Sequence, residues 1–212
     1  MKKMAAGLFF FCGFIIICFA LFQIFSGEKA VKDTLEHAEK LVEQGQINKP
    51  NVETNIEEKN KKPQVEASQL VQKKTYEKNE IIGVLQVPKI NEKFPIVEGT
   101  DDDDLKKGVG HYTGTALPRE DEQIVLSGHR ETVFRNFKHL EIGDTFIVKL
   151  SYGSFEYEIR DTEIVSADDR TVIRPRGEEV LTVTTCYPFN FIGNAPDRFI
   201  FYAYPVDEGN EF

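Results

Sequence analysis

The residue type with the most reactive potential is a single thiol near the C-terminal end. Cys186 closes the run Val180-Leu181-Thr182-Val183-Thr184-Thr185-Cys186-Tyr187-Pro188-Phe189. The β-branched residues favour a strand and Pro188 stops it, so the thiol is expected at a strand end. The other cysteines, Cys12 and Cys18, lie inside an apolar N-terminal run. Cys186 therefore has no partner thiol in the polar part of the chain. In an exported domain such a cysteine pairs with another chain or stays a free, reactive thiol. The bland alternative is a buried cysteine acting as a small hydrophobe.

A thiol is mostly protonated at neutral pH and needs a base or a positive field to act as a nucleophile. Outside His37, the candidates are His111, His129 and His139. His129 has the best context, because it follows Leu126-Ser127-Gly128 at the mouth of an apolar strand, with little bulk beside it. His111, between Gly110 and Tyr112, is the second choice. His139 sits between Phe137 and Leu140 on an amphipathic turn and reads as a surface or packing residue.

Acyl transfer also needs donors for an oxyanion. Arg198 opens the run Arg198–Tyr204 after the loop Tyr187–Asp197. If that run pairs with the cysteine strand, the loop returns Arg198 beside the thiol with a permanent charge and fixed donors. An ion pair with Asp197 is the alternative. Thr185, next to the thiol, reads as pocket-shaping and hence substrate-binding, or simply as a strand residue. No HExxH, CxxC or glycine-rich phosphate loop occurs, so no metal and no cofactor are expected. Asp101–Asp104 is a conceivable calcium site, but adjacent carboxylates better suit the start of a short helix.

The elements that must position these residues are short. Strands are expected over Ile81–Pro88, Phe94–Glu98, Glu122–Ser127, Thr145–Leu150, Phe155–Val165, Val180–Thr185 and Arg198–Tyr204, with an extended piece at Val172-Ile173. A short helical piece is expected over Asp101–Lys107, and a short helix or two turns over Glu131–Leu140. About eight short strands with few helices imply an all-β barrel or sandwich.

Before this domain, Met4–Phe25 holds no charged residue, and roughly 20 apolar residues span a bilayer. The expectation is a transmembrane anchor over 1–26 rather than a cleaved signal peptide, whose apolar part would be about 7–15 residues. The N-terminus is placed inside and the C-terminal domain outside. Lys2 and Lys3 face Lys29, Lys32 and Lys40, so charge asymmetry contributes little to that choice. A polar stalk is expected over 27–79. Val31, Leu35, Ala38 and Val42 form one helical stripe ended by Gly45, and Asn48–Lys78 is a flexible spacer. The catalytic domain is expected over 80–212. A net charge of -9 excludes an electrostatic nucleic-acid binder.

Several of these motifs, in order, resemble the sortase family. Thr182-Val183-Thr184-Thr185-Cys186 is similar to the family's Thr-Leu-x-Thr-Cys motif, with Val183 where leucine is usual. Leu126-Ser127-Gly128-His129-Arg130-Glu131-Thr132 resembles its histidine segment and Arg198-Phe199-Ile200 its arginine strand. Gly99-Thr100, Thr115-Ala116-Leu117-Pro118 and Gly143-Asp144 fit the same order, so the resemblance covers Ile81–Tyr204. The continuation Cys186-Tyr187-Pro188-Phe189 looks most like class D sortases of Gram-positive, spore-forming bacteria. Arg119 departs from the pattern, since the family often has glycine there.

The resemblance implies a closed eight-stranded β-barrel and a cysteine transpeptidase. Cys186 would attack the threonine carbonyl of a Leu-Pro-x-Thr-type (LPxT) sorting signal, His129 would protonate the leaving amine, and Arg198 would stabilise the oxyanion. The thioacyl enzyme would be resolved by an amine of a peptidoglycan precursor, anchoring surface proteins to the cell wall on the extracellular face of the membrane. Two other readings stay open: a non-catalytic, membrane-tethered β-barrel binding module, and a papain-like hydrolase, for which the surrounding helical domain is missing.

Overall fold

The computed structural model describes residues 2–47, 75–191, 193 and 195–206. Most of the expected spacer, residues 48–74, lies outside them. Eight strands close into one barrel: β1 (Ile81–Val87), β2 (Glu92–Glu98), β3 (Val109–His111), β4 (Gln123–Gly128), β5 (Thr145–Leu150), β6 (Gly153–Ser166), β7 (Val180–Tyr187) and β8 (Asp197–Pro205). Around the barrel they run β1-β2-β3-β4-β7-β8-β6-β5. The pairs β2–β3 and β4–β7 are parallel and the others antiparallel. Closure leaves no free sheet edge, which settles barrel against sandwich.

Strand alternation separates core from surface. Along β7, Leu181 and Val183 enter the barrel core, as do Phe199, Phe201 and Ala203 of β8 or its flank on that core. The other parity, Thr182, Thr184 and Cys186 on β7 with Arg198 and Ile200 on β8, lines an outer groove. The core is aromatic: Phe134 stacks on Phe137 at 3.9 Å between centroids, and Phe137, Phe146 and Phe201 continue the contact. Each fully buried side chain of this size contributes on the order of 1.5–3 kcal/mol.

Two local expectations change. β3 is a strand of three residues, Val-Gly-His, too short for any alternation to show in sequence; it forms because Ile96–Glu98 and Leu126-Ser127 flank it on both sides. Of the two forms left open for Glu131–Leu140, the turns are found, with one 3-10 turn at Phe137–His139, and Phe134 and Phe137 are buried as their spacing suggested. Val172-Ile173 lies in turns between β6 and β7. The aspartate run is a helix start: α2 (Asp102–Leu105) is capped by Asp101, and the Asp104 carboxylate accepts the Asp101 N–H at 3.0 Å.

N-terminal to the barrel runs one continuous helix, α1 (Lys2–Ile47). Its predicted stripe does not stand free. Ala38 and Val42 are buried with Val84, Leu35 and Ile81 pack beside them, and Val31 reaches the main core. Lys93 Nζ meets Glu39 Oε1 at 2.7 Å at the edge of this contact. Gly45 does not end the helix. A Cβ there would lie 2.3 Å from the Ser151 carbonyl, so glycine permits the close approach of α1 to the β5–β6 turn. Packing also begins before residue 80, since Tyr76 joins the core and Asn79 N–H donates to the Glu98 carbonyl. Among the described residues no helix is long and apolar enough to cross a membrane. The described apolar side chains of the first segment, such as Phe11, Phe14, Ile16 and Phe19, are exposed.

Candidate active site

The register of three adjacent strands assembles the site. β4 and β7 run parallel with Ser127 opposite Thr184 and Gly128 opposite Thr185. The next residue on each chain segment is His129, just past the end of β4, and Cys186, still within β7, so the two lie side by side. β7 and β8 run antiparallel with Cys186 directly opposite Arg198. His129, Cys186 and Arg198 therefore meet at one end of a groove of about 350 Å³. Val125, Ser127, Thr182, Thr184 and Ile200 form its floor, the β6–β7 connection one wall, and Thr100, Leu105 and Tyr112 the other.

Each residue is held by its neighbours. Cys186 is half-buried and free of disulfide. Gly128 precedes His129 because a Cβ would lie 2.5 Å from the Phe134 ring, itself fully buried. The His129 carbonyl accepts the Phe134 N–H at 3.1 Å and so fixes the turn that follows. Thr185 is buried, and its Oγ1 donates to the Gly128 carbonyl at 2.9 Å. It borders the groove, but its hydroxyl is spent in fixing the cysteine strand to the histidine strand. Arg198 Nη1 donates to the Asp197 carbonyl at 2.9 Å and the Ala195 carbonyl at 3.3 Å. It thus meets Asp197 through the backbone rather than through the ion pair that sequence left open.

The other histidines stand apart. His111 is buried, with Nδ1 2.6 Å from Glu98 Oε2 and Nε2 3.0 Å from the Ala116 carbonyl. Burial works against the Glu98 charge, but the hydrogen bond and charge of His111 hold its carboxyl below the usual range. His139 is exposed on its 3-10 turn and His37 on α1.

Arg130 escaped sequence reasoning, although it lies within the histidine segment. It is 2% exposed. Its Nη1 donates to the Pro188 carbonyl at 2.7 Å, Nη2 reaches the Gly193 carbonyl at 3.4 Å, and the same nitrogen pairs with Glu131. The guanidinium ties the loop after Cys186 to the segment carrying His129. Partial burial opposes the Glu131 charge, yet Arg130 keeps that carboxyl below its ordinary value. An arginine next to a candidate histidine is the one signal that sequence offered; its burial and its partners, 58 and 63 residues away, are invisible there.

Chemically, the arrangement supplies a nucleophile, a proton carrier and a cationic donor in one open groove. Comparison with known proteins identifies the family. The Sortase domain family model matches residues 85–206. Sortase D of Bacillus subtilis (strain 168) is 57% identical over 122 residues, covering 57% of this chain and 62% of that protein, so the chain spans less than two thirds of that relative's length. Among solved structures, a Clostridium perfringens Sortase D5 transpeptidase matches with a TM-score of 0.56 and 28% identity over 62% of this chain and 82% of that one. The catalytic domain of B. anthracis SrtD matches with a TM-score of 0.54 and 42% identity, covering 66% and 96%. With the barrel, its strand register and these matches together, the chain belongs to the sortase family.

Proposed function

We propose that this sortase is a membrane-tethered cysteine transpeptidase acting on proteins that carry an LPxT-type sorting signal. The observation that carries the reading is the cross-strand pair Cys186–Arg198 with His129 one strand away, at the end of an open groove. The Cys186 sulfur attacks the threonine carbonyl carbon and the carbonyl oxygen becomes an oxyanion. Arg198 faces that charge with N–H donors preorganised by the strand pairing. His129 gives its proton to the leaving amine as the C–N bond breaks, and a thioester to Cys186 remains. An amine of a peptidoglycan precursor then attacks the thioester. His129 takes the proton of that amine, the C–S bond breaks, and the thiolate returns. No hydrogen bond to the His129 ring is found among the described residues, so no carboxylate fixes its tautomer.

The uncharged run Met4–Phe25 supports a tether with the barrel on the outer face. Docking of α1 on β1 then holds the barrel close to the bilayer, because Val31 follows that run by only six positions.

The test is full-length protein in detergent with a fluorogenic LPxT peptide and a panel of amines. Wild type is expected to give an acyl-enzyme by mass spectrometry, and Cys186→Ala neither acyl-enzyme nor product. Product formation by Cys186→Ala overturns the reading in favour of a contaminating or different activity. An intact peptide in the presence of a solvent-reactive Cys186 favours a binding module.

A further inference from the structure

The groove wall formed by the β6–β7 connection, residues 167–179, has no regular secondary structure of its own. Ala167, Asp169, Arg170, Val172 and Ile173 face the groove. Behind the same segment lies a second cavity of about 290 Å³, bordered by Ala116, Glu120, Ile173, Arg174 and Pro175. The wall thus has open space on both sides, and packing alone does not hold it in place.

Its ends are fixed: Ala167 N–H donates to the Pro196 carbonyl at 2.9 Å, and Glu179 Oε2 accepts the Arg119 N–H at 2.7 Å. Within it, Val172 packs on the outer cluster of Val165, Val180, Ile200 and Tyr202, and the Arg176 guanidinium lies 4.9 Å from the Tyr202 ring centre. The backbone in between is gripped by two consecutive side chains at the start of β4. Gln123 is 3% exposed. Its Nε2 donates to the Val172 carbonyl at 2.9 Å and to Thr182 Oγ1 at 2.8 Å, and its Oε1 accepts the Arg174 N–H at 3.0 Å. The Glu122 carboxylate accepts the N–H groups of Arg176 and Gly177. Those backbone donors hold the carboxyl below its ordinary range.

We infer that Glu122 and Gln123 form a clasp that sets the width of the groove and thereby the affinity for the sorting peptide. The inference rests on the transpeptidase reading above. Gln123 lies on the strand that delivers His129, and Thr182, which it also grips, lies on the strand that delivers Cys186. The wall is therefore registered to the two strands that carry the chemistry, while the clasp itself stays about one strand length away from it. Both are positioning residues. Loss of the clasp lets the wall move toward the rear cavity without moving the nucleophile.

The experiment uses full-length protein with Gln123→Met, Glu122→Ala and the conservative Glu122→Gln, which keeps an acceptor. Loss of a buried amide network is expected to speed exchange of the Arg174 amide hydrogen about tenfold or more in Gln123→Met, and of Arg176 and Gly177 in Glu122→Ala. The KM for the LPxT peptide rises about tenfold in both, kcat stays within about twofold, and Cys186 alkylation by iodoacetamide is unchanged. Glu122→Gln restores most of the KM. Faster exchange with unchanged KM overturns the clasp's role in affinity. A parallel loss of kcat and alkylation in both variants overturns it too, since the effect is then general to the barrel. If Gln123→Met does not fold, the half-buried Glu122 decides by the same readouts. A wild-type protein that cleaves no such peptide sinks the functional reading; unchanged exchange at Arg174, Arg176 and Gly177 sinks the clasp itself.

Discussion

Cys186 and Arg198 are direct cross-strand partners on the outer face of the barrel, on neighbouring strands joined by the loop 188–196. Opposite residues on one face of an antiparallel pair keep their Cβ atoms about 4.5–5.5 Å apart. The cation is thus placed by backbone register rather than by side-chain contacts, and its guanidinium bonds carbonyls of the returning loop while the thiol is free.

That placement makes a specific demand on residue type. Lysine at position 198 keeps the charge but loses the planar guanidinium, which bonds the Ala195 and Asp197 carbonyls through Nη1 alone and has further N–H donors on its other nitrogens. Arg198→Lys is expected to lower kcat by about 10²–10³, the cost of removing an oxyanion donor. Steady-state kinetics beside Cys186 alkylation check this: alkylation stays near wild type, and a kcat within a few-fold of wild type refutes the oxyanion role.

The three candidate residues that the register brings together were readable in the sequence because each sits at or near a strand end. Gly128 before His129, Pro188 after Cys186 and the loop before Arg198 are local signals. The helical stripe of α1 was equally plain, yet its partner was not: Val84 lies 42 positions beyond Val42. Arg130 and Gln123 were missed for the same reason, since their partners lie 49 to 63 residues away. β3 could not be read because three residues show no period and its pairing is imposed by both neighbours. His111 looked like a fair second base by composition. Tertiary packing removed it from contention by burying it against Glu98.

Arg119 stands where the resembling family often has glycine, and the backbone shows why: its φ is 76°, in the left-handed region. That conformation costs a residue with a side chain roughly 1–2 kcal/mol. The arginine offsets part of it by lying 5.2 Å from the Phe155 ring centre, an interaction worth about 0.5–1 kcal/mol at an exposed site. Glycine removes both the strain and the contact and adds freedom to the unfolded chain. Arg119→Gly is therefore expected to leave stability within about 0.5 kcal/mol of wild type, whereas Arg119→Ala keeps the strain, loses the ring contact and destabilises by about 0.5–1 kcal/mol. Chemical denaturation of the pair tests this, and an alanine variant as stable as the glycine one would contradict it.

The Glu98–His111 pair makes acid stability predictable. Nε2 faces the Ala116 carbonyl, and the Thr115 hydroxyl that also approaches it donates to the Tyr112 carbonyl, so Nε2 carries a hydrogen. Nδ1 meets the Glu98 carboxylate. The folded pKa of Glu98 lies below its unfolded value, despite burial, because of His111. A depressed carboxyl contributes stability that is fully present above the unfolded pKa, about 4.3, and is lost as pH falls through the folded value. Wild-type melting temperature should fall below about pH 4 more steeply than that of Glu98→Gln, which has no charge to lose. Equal acid slopes for the two proteins would show that this pair is not the sensor.

Docking of α1 predicts a mutation that destabilises without touching the chemistry. Ala38 and Val42 are buried against Val84 on β1, and β1 lies across the closed barrel from β7 and β8. Val42→Asp places a carboxylate in that contact without a partner, at a cost of about 1–3 kcal/mol. The helix is expected to lift from the barrel, so trypsin cleaves at Lys32 and Lys40 faster than in wild type. Peptide cleavage by the folded fraction should keep its kcat, because His129, Cys186 and Arg198 are positioned by β4, β7 and β8 alone. A drop in kcat that tracks helix release would instead show that α1 supports the active end of the barrel, and would overturn this separation of anchoring from catalysis.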